Sequence, residues 1–261
     1  MSIEALSGKV FLLITGASRG IGRQIAITFG SLLQQGSHVL LLARSENALQ
    51  EVAKSISSNV IVHTVSIDLA KATETILKEA ISGSLKNISY NEFDRVVVVH
   101  NVGTMGNINK VVNELTDLNT WREFYDVNFL VPAVLNAVVM NTFDNNTKKM
   151  VINITSLFAI QAQVGCGEYC SVKAAREMYF KVFALENPDV DVLSYSPGPV
   201  DTDMFEMARE KIVDSNARKL FNDMREKNTV LTTEQTVNRL VQVLKVHKYK
   251  SADHVDYYDE L

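Results

Sequence analysis

The chain holds only two cysteines among its 261 residues. Cys166 and Cys170 are too few for a disulfide framework, and no nearby histidine completes a zinc site, so no metal is expected. A basic excess is missing as well. Against 26 Lys and Arg stand 30 Asp and Glu, a formal charge of −4, where a general nucleic-acid binder carries a positive balance. Long apolar runs are absent: Val10–Ile14 and Val39–Ala43 fall far short of the roughly 20 residues that cross a bilayer, so no membrane span is expected. Met1–Lys9 is too short and polar for a signal peptide, because strand-like sequence starts at Val10. Tyr258–Leu261 resembles an ER-retention tail, which has no use without an entry signal. What is present is ample core material, 46% hydrophobic against 21% charged, with no repeat, low-complexity tract or linker. The expectation is a cytoplasmic globular protein forming one domain over residues 1–261.

Short β-branched runs alternate with helical patterns. Strands are predicted at Val10–Thr15, His38–Ala43, Val60–Ser66, Arg95–His100, Met150–Thr155, Val190–Ser196 and, briefly, near His254–Tyr257. Several are apolar almost throughout, as in strands buried on both faces of a parallel sheet. Ile21, Ile25, Phe29 and Leu32 fall on one side of the first predicted helix. The alternation predicts an α/β, doubly wound, mostly parallel seven-stranded sheet of Rossmann type, with helices on both faces. Ligands are then expected at the carboxyl ends of the strands. Residues 199–228 break the rhythm with two charged helix-like segments and no strand between them. They read as a substrate lid or as a plain surface excursion.

The first strand runs into Thr15-Gly16-Ala17-Ser18-Arg19-Gly20-Ile21-Gly22 and then a helix. Glycines there let the turn close tightly and the backbone approach a pyrophosphate, whose charge a helix N-terminus favours. In this context the loop reads as a dinucleotide site. Tyr169 and Lys173 stand four apart, on one helix face. A free tyrosine has a pKa of about 10. An ammonium one turn away favours the phenolate, so Lys173 is expected to lower it.

The Thr-Gly-x-x-x-Gly-x-Gly spacing of the loop resembles that of the short-chain dehydrogenase/reductase family. Ser156 lies 13 residues before Tyr169, which matches the family's serine-to-tyrosine spacing. Asn128, in the helix before the fifth strand, falls where the family keeps an asparagine. The resemblance thus implies a catalytic set of Ser156, Tyr169, Lys173 and Asn128, with Ser156 and Tyr169 also touching substrate. It implies a nicotinamide cofactor held by Gly16, Ser18, Arg19, Gly20, Ile21 and Gly22, by Asp68 and Leu69 at the adenine, by Asn101 and Gly103, by Tyr169 and Lys173, and by Pro197, Gly198, Val200 and Thr202. Asp68 equally suits a helix N-cap.

Cofactor choice follows from charge. NAD-selective sites place an acid at the end of the second strand. Here that strand ends in Arg44, and Arg19 stands in the loop, so the two guanidinium groups can flank a 2′-phosphate. NADPH/NADP+ is the expected cofactor, the alternative being that either arginine points into solvent.

Two positions depart from the family pattern. His100 replaces the usual first Asn of Asn-Asn-Ala-Gly and reads equally as a structural histidine, and Val172 stands where a small residue is common. Cys170, beside the tyrosine, reads as a buried small residue.

Within the family the chain is similar to a branch that reduces pterin side-chain carbonyls. The residues that carry this are Asn153–Leu157, Tyr169–Arg176, Ser194–Pro199, Asp201–Met204 and His254–Asp259. That resemblance implies reduction of sepiapterin and 6-pyruvoyl-tetrahydropterin, in the last step of tetrahydrobiopterin synthesis. It implies that Asp256 anchors the pterin ring, as a carboxylate accepting two N–H bonds can. Pattern alone favours a solvent-facing Asp256. A homodimer through the helices before strands five and six is also implied. The first of these carries Trp121, Phe124 and Phe129, which read equally as residues of the chain's own core.

Overall fold

A computed structural model describes residues 3–144 and 146–261. Seven parallel strands form one sheet: β1 (Val10–Thr15), β2 (His38–Ala43), β3 (Ile61–Ser66), β4 (Arg95–His100), β5 (Lys148–Ile154), β6 (Val190–Ser196) and β7 (His254–Asp256). Their order is β3-β2-β1-β4-β5-β6-β7. The chain reverses direction across the sheet between β1 and β4, which opens a crevice at their carboxyl ends.

Alternate residues of each strand feed two cores. Val10, Leu12 and Ile14 of β1 pack against α1 (Gly20–Leu32), α2 (Glu46–Lys54) and α9 (Thr233–Val246). Phe11 and Leu13 face the other side, against α3 (Glu74–Ser84) and α5 (Val131–Thr142). Farther along that side α6 (Gly167–Glu186) covers Val151 and Val192 with Phe180 and Phe183. Each such fully buried side chain contributes about 1.5–3 kcal/mol, so double-sided burial explains the nearly unbroken apolar strands.

The boundaries differ from the predicted ones at a few places. β5 begins at Lys148, not Met150, because backbone pairing with Arg95 and Val96 extends the ladder into charged sequence at the sheet's open end. β3 starts one residue late at Ile61 and, as the sheet's edge, is only half-buried. β7 stops at Asp256. In α1, Ile25 and Phe29 are buried, while Leu32 is 46% exposed because the helix runs past the sheet.

Residues 199–228 contain α7 (Asp203–Lys211) and α8 (Ser215–Glu226) with no strand between them. A bridge between Val200 and Leu231 closes their base.

Leu118–Thr142 is, among the described residues, one helical stretch long and apolar enough to cross a membrane. Here Val131, Leu135, Val138 and Val139 pack it on the sheet and α3. It comprises α4 (Leu118–Tyr125), a π turn at Asp126–Leu130, and α5. The cause of the π turn is Pro132, which has no N–H for the carbonyl four residues back and whose ring pushes that carbonyl aside. That carbonyl belongs to Asn128.

Candidate active site

The crevice begins at the glycine loop. Gly16 and Gly20 have φ of +65° and +55°, which side chains resist. A Cβ on Gly22 would collide with the Gly16 carbonyl oxygen and the Asn101 amide. Asn101 holds the loop from β4: its Nδ2 donates to the carbonyls of Thr15 (3.0 Å) and Gly16 (3.2 Å). Thr15 Oγ1 accepts from the amides of Asn101 and Val102. No side chain caps α1, so its first amides are aimed past a glycine-lined cradle, the arrangement that suits a pyrophosphate. The residues present therefore fit a dinucleotide.

The other cofactor candidates line the same end of the sheet. Asp68 after β3 accepts from the Ala70 amide (3.2 Å), so it does cap a short turn; Leu69 is buried. Pro197 and Gly198 follow β6, with Gly198 at φ +72°. Thr202 caps α7 through Phe205 (3.4 Å) and bonds the Val200 carbonyl (3.2 Å). The two arginines do not act alike: Arg44 is exposed at the end of β2, whereas Arg19 is paired with Asp203 of α7.

Ser156 and Tyr169 meet Lys173 and Asn128 beside β4 and β5. Ser156 ends the fifth strand's extension and caps the next turn through Phe158 (3.2 Å). Lys173 Nζ donates to the Ile154 carbonyl (2.8 Å) and lies 5.5 Å from the Tyr169 ring centroid. Asn128 is buried in the π turn; its Nδ2 donates to the Phe124 carbonyl (2.8 Å) and its Oδ1 accepts from Thr104 (2.8 Å). Gly103 passes against that Oδ1, where a Cβ would sit at 3.2 Å.

The tyrosine does not titrate as the Tyr–Lys spacing predicts. Burial pushes its phenol up to about 12, with the Ser156 hydroxyl and Arg176 opposing. Burial, then Arg176, also lowers Lys173 well below the usual ammonium range. Desolvation is therefore the largest influence on both groups in the protein alone. At neutral pH the Tyr169 phenol keeps its proton.

His100 is structural. It is fully buried, packs on Phe180 (ring centroids 5.3 Å apart), and bonds Asn136 Oδ1 through Nε2 (3.3 Å). Val172 is buried in the core below Tyr169. Burial holds the Cys170 thiol above its usual range and pushes Cys166 up to about 12, so both remain thiols.

On the last strands Asp256 is half-buried beside Ser196, its register partner. Ser196 Oγ donates to Asp256 Oδ2 (2.6 Å) and the Tyr258 amide donates to Oδ1 (3.1 Å). Two residues earlier, on the same face of the strand, His254 Nδ1 meets Glu177 Oε1 (2.7 Å), which also accepts from Thr155 (2.6 Å). Burial disfavours the charged imidazole, but Glu177, with Asp256 and Asp259, raises its pKa overall. Sequence reasoning missed Glu177, and it named Thr155, Arg176 and His254 only within matching segments, with no role for any of them. The signal for Arg176 was its spacing, three residues past Lys173 on the same face of α6.

A sequence family described as short chain dehydrogenase matches residues 10–213, and the chain belongs to that family. It is an oxidoreductase that works with a nicotinamide cofactor on a small-molecule substrate. The sepiapterin reductase of Bos taurus is 34% identical over 97% of this chain and 96% of its own length. A benzil reductase ((S)-benzoin forming) of Bacillus cereus is 27% identical over 93% and 97%. A crystal structure of a Saccharomyces cerevisiae short-chain dehydrogenase/reductase superposes with a TM-score of 0.80, at 26% identity and 97% coverage of each chain.

Proposed function

We propose that this chain reduces the side-chain carbonyls of pterins, sepiapterin and 6-pyruvoyl-tetrahydropterin among them, with NADPH, in the last step of tetrahydrobiopterin synthesis. The observation that carries the pterin reading is Asp256. Its carboxylate stands at the carboxyl end of β7, fixed by Ser196 and the Tyr258 amide, and each oxygen keeps a lone pair for the N–H edge of an aminopyrimidinone. The similarity to sepiapterin reductases supports the same assignment.

The same reading assigns the catalytic roles, and the geometry supports it. Tyr169, protonated at neutral pH, gives its proton to the carbonyl oxygen. Ser156 steadies that oxygen as charge develops on it. Lys173, anchored on the Ile154 carbonyl, orients the cofactor ribose, and Asn128 supports the proton path to Lys173. When bound, reduced nicotinamide supplies the hydrogen and electron pair for the carbon. Arg44 and Arg19 select the 2′-phosphate, with Arg19 exchanging Asp203 for it.

Residues 199–228 act as a lid. Arg225 braces them by pairing with Asp201 (2.7 Å) and with Glu206. Their apolar side, Ala208, Ile212 and Ala217, shares one cluster with Tyr169.

The working form is a cytoplasmic homodimer. Phe124 lies in the chain's own core, Phe129 is half-buried against it and the Trp121 indole bonds the Leu115 carbonyl, so the dimer face is assigned mainly to other residues. Exposed apolar side chains on these helices include Leu118, Leu130, Val134, Met178, Val182 and Leu185, the last 84% exposed.

The test is NADPH consumption with sepiapterin, run beside NADH and beside Tyr169→Phe. Turnover that prefers NADPH and disappears in the variant is expected. Demonstrated NADPH binding without sepiapterin turnover sinks the pterin reading. The likeness to a benzil reductase favours a second reading, general diketone reduction. Asp256→Ala separates the two: a pterin reductase loses sepiapterin activity and keeps benzil activity.

A further inference from the structure

β7 is short and lies at the edge of the sheet. It pairs with β6 alone, over three residues: Ser194 with His254, Tyr195 with Val255 and Ser196 with Asp256. Val255 turns into the core shared with α9. His254 and Asp256 share the other face, the one that α6 covers.

A single oxygen ties that face down. Glu177 of α6 is 3% exposed, and its Oε1 accepts from Thr155 Oγ1 (2.6 Å) and from His254 Nδ1 (2.7 Å). A carboxylate only accepts, so Nδ1 carries the proton of that bond. Glu177 Oε2 and His254 Nε2 are buried and, among the described residues, have no partner, so the link between helix and strand runs through Oε1. Thr155 immediately precedes Ser156, and Glu177 stands one turn beyond Lys173 and two beyond Tyr169. The oxygen therefore joins the three elements that carry Ser156, Tyr169 and Asp256. The preceding residue, Arg176, anchors α6 elsewhere: it donates to the carbonyls of His100 (2.8 Å), Val102 (3.1 Å) and Asn128 (3.2 Å) and to Asn153 Oδ1 (2.7 Å). The helix is thus held to β4 and β5 without His254, and what Glu177 adds is β7.

We infer that His254, acting through Glu177, is a positioning residue for the substrate: it fixes Asp256, two residues along the strand, relative to Tyr169 and Ser156. The inference rests on the pterin reading above. A pterin held by its ring at Asp256 has to bring a side-chain carbonyl to Tyr169, so a small slide of the edge strand carries the carbonyl away from the acid. A diketone that does not use Asp256 is indifferent to such a slide. His254 thereby contributes to selectivity without touching substrate.

The experiment compares kcat/KM for sepiapterin and for benzil, together with the KM for NADPH, in the full chain. His254→Leu removes the donor, His254→Asn keeps one near the place of Nδ1, and Glu177→Gln keeps the shape but not the charge. In His254→Leu the sepiapterin value is expected to fall about tenfold, with benzil and NADPH little changed. His254→Asn should recover most of the loss, and Glu177→Gln should lose about threefold. Combined with Asp256→Ala, His254→Leu should cost nothing further, because the two act through one contact. An unchanged sepiapterin value in His254→Leu overturns the inference. So does an equal fall for benzil, or a double variant in which the two losses multiply; either leaves His254 a brace of the fold. If His254→Leu does not fold, the isosteric Glu177→Gln decides, and an unchanged sepiapterin value there overturns the inference. Wild-type protein that does not turn over sepiapterin sinks the pterin reading separately. Hydrogen exchange of the Tyr257 amide, which donates to the Ser196 carbonyl beside Asp256 (2.9 Å), then still reads the tie. Exchange about tenfold faster in His254→Leu is expected, and unchanged protection overturns the inference.

Discussion

The carbonyl of Asn128 accepts from Arg176 at 3.2 Å because Pro132, four residues on, has no N–H to offer it. One proline thus opens the π turn, and an arginine 48 residues away closes it. The exchange of partners reaches the candidate site, since Asn128 also orders Thr104 and stands against Gly103.

Pro132→Ala returns an N–H to that position. It competes with Arg176 for the Asn128 carbonyl and favours a regular α-helix, where alanine is the better residue. Melting temperature should hold or rise while kcat falls several-fold. Unchanged kcat in a well-folded variant would mean that the π turn is incidental to the chemistry.

Gly22→Ala should abolish cofactor binding. Its Cβ meets the Gly16 carbonyl oxygen, which is backbone and cannot swing away, so the cradle itself must deform. A loss of about 2 kcal/mol or more in stability is expected. NADPH titration by fluorescence, run beside a urea melt, reads both effects.

Arg44→Asp places a carboxylate where the 2′-phosphate is proposed to lie. The KM for NADPH should rise at least about tenfold, that for NADH should fall, and kcat should change little. If the ratio of the two KM values does not move, Arg44 is a solvent-facing residue.

Acid should weaken the fold through two buried histidines. Burial, helped by His63 and Lys9, holds His38 down to about 4; burial and Arg176 hold His100 down to about 3. Both stay neutral in the native state while their unfolded forms protonate near pH 6.5. Stability therefore falls as pH drops below 6.5, to about pH 4 through His38 and about pH 3 through His100, by about 2 kcal/mol per histidine at pH 5. His254 works in the opposite sense: its raised pKa adds stability below 6.5 that disappears as pH climbs through the folded value. Urea melts at pH 7, 6 and 5 measure the balance, and His100→Asn should flatten the slope.

Much of this protein is written locally in its sequence. Strands covered on both faces have to be apolar residue after residue, so β1, β2 and β4 stand out without reference to anything distant. Glycines at positive φ announce the loop, and a spacing of four on a helix brings Tyr169 over Lys173. Each of these signals lies within a single turn or strand.

Tertiary structure decided the rest, because burial and long-range partners set it. Whether Lys173 or desolvation governs the Tyr169 phenol depends on what covers the helix, and α7 and α8 bring that cover from some 35–50 residues on. Only the folded chain turns Arg19 toward Asp203, 184 residues away, and puts Phe124 into its own core instead of an outer face. The four acceptors of Arg176 come from the end of β4, the π turn and β5, so a residue that looks like one more polar position on α6 becomes a buried tie between those three elements.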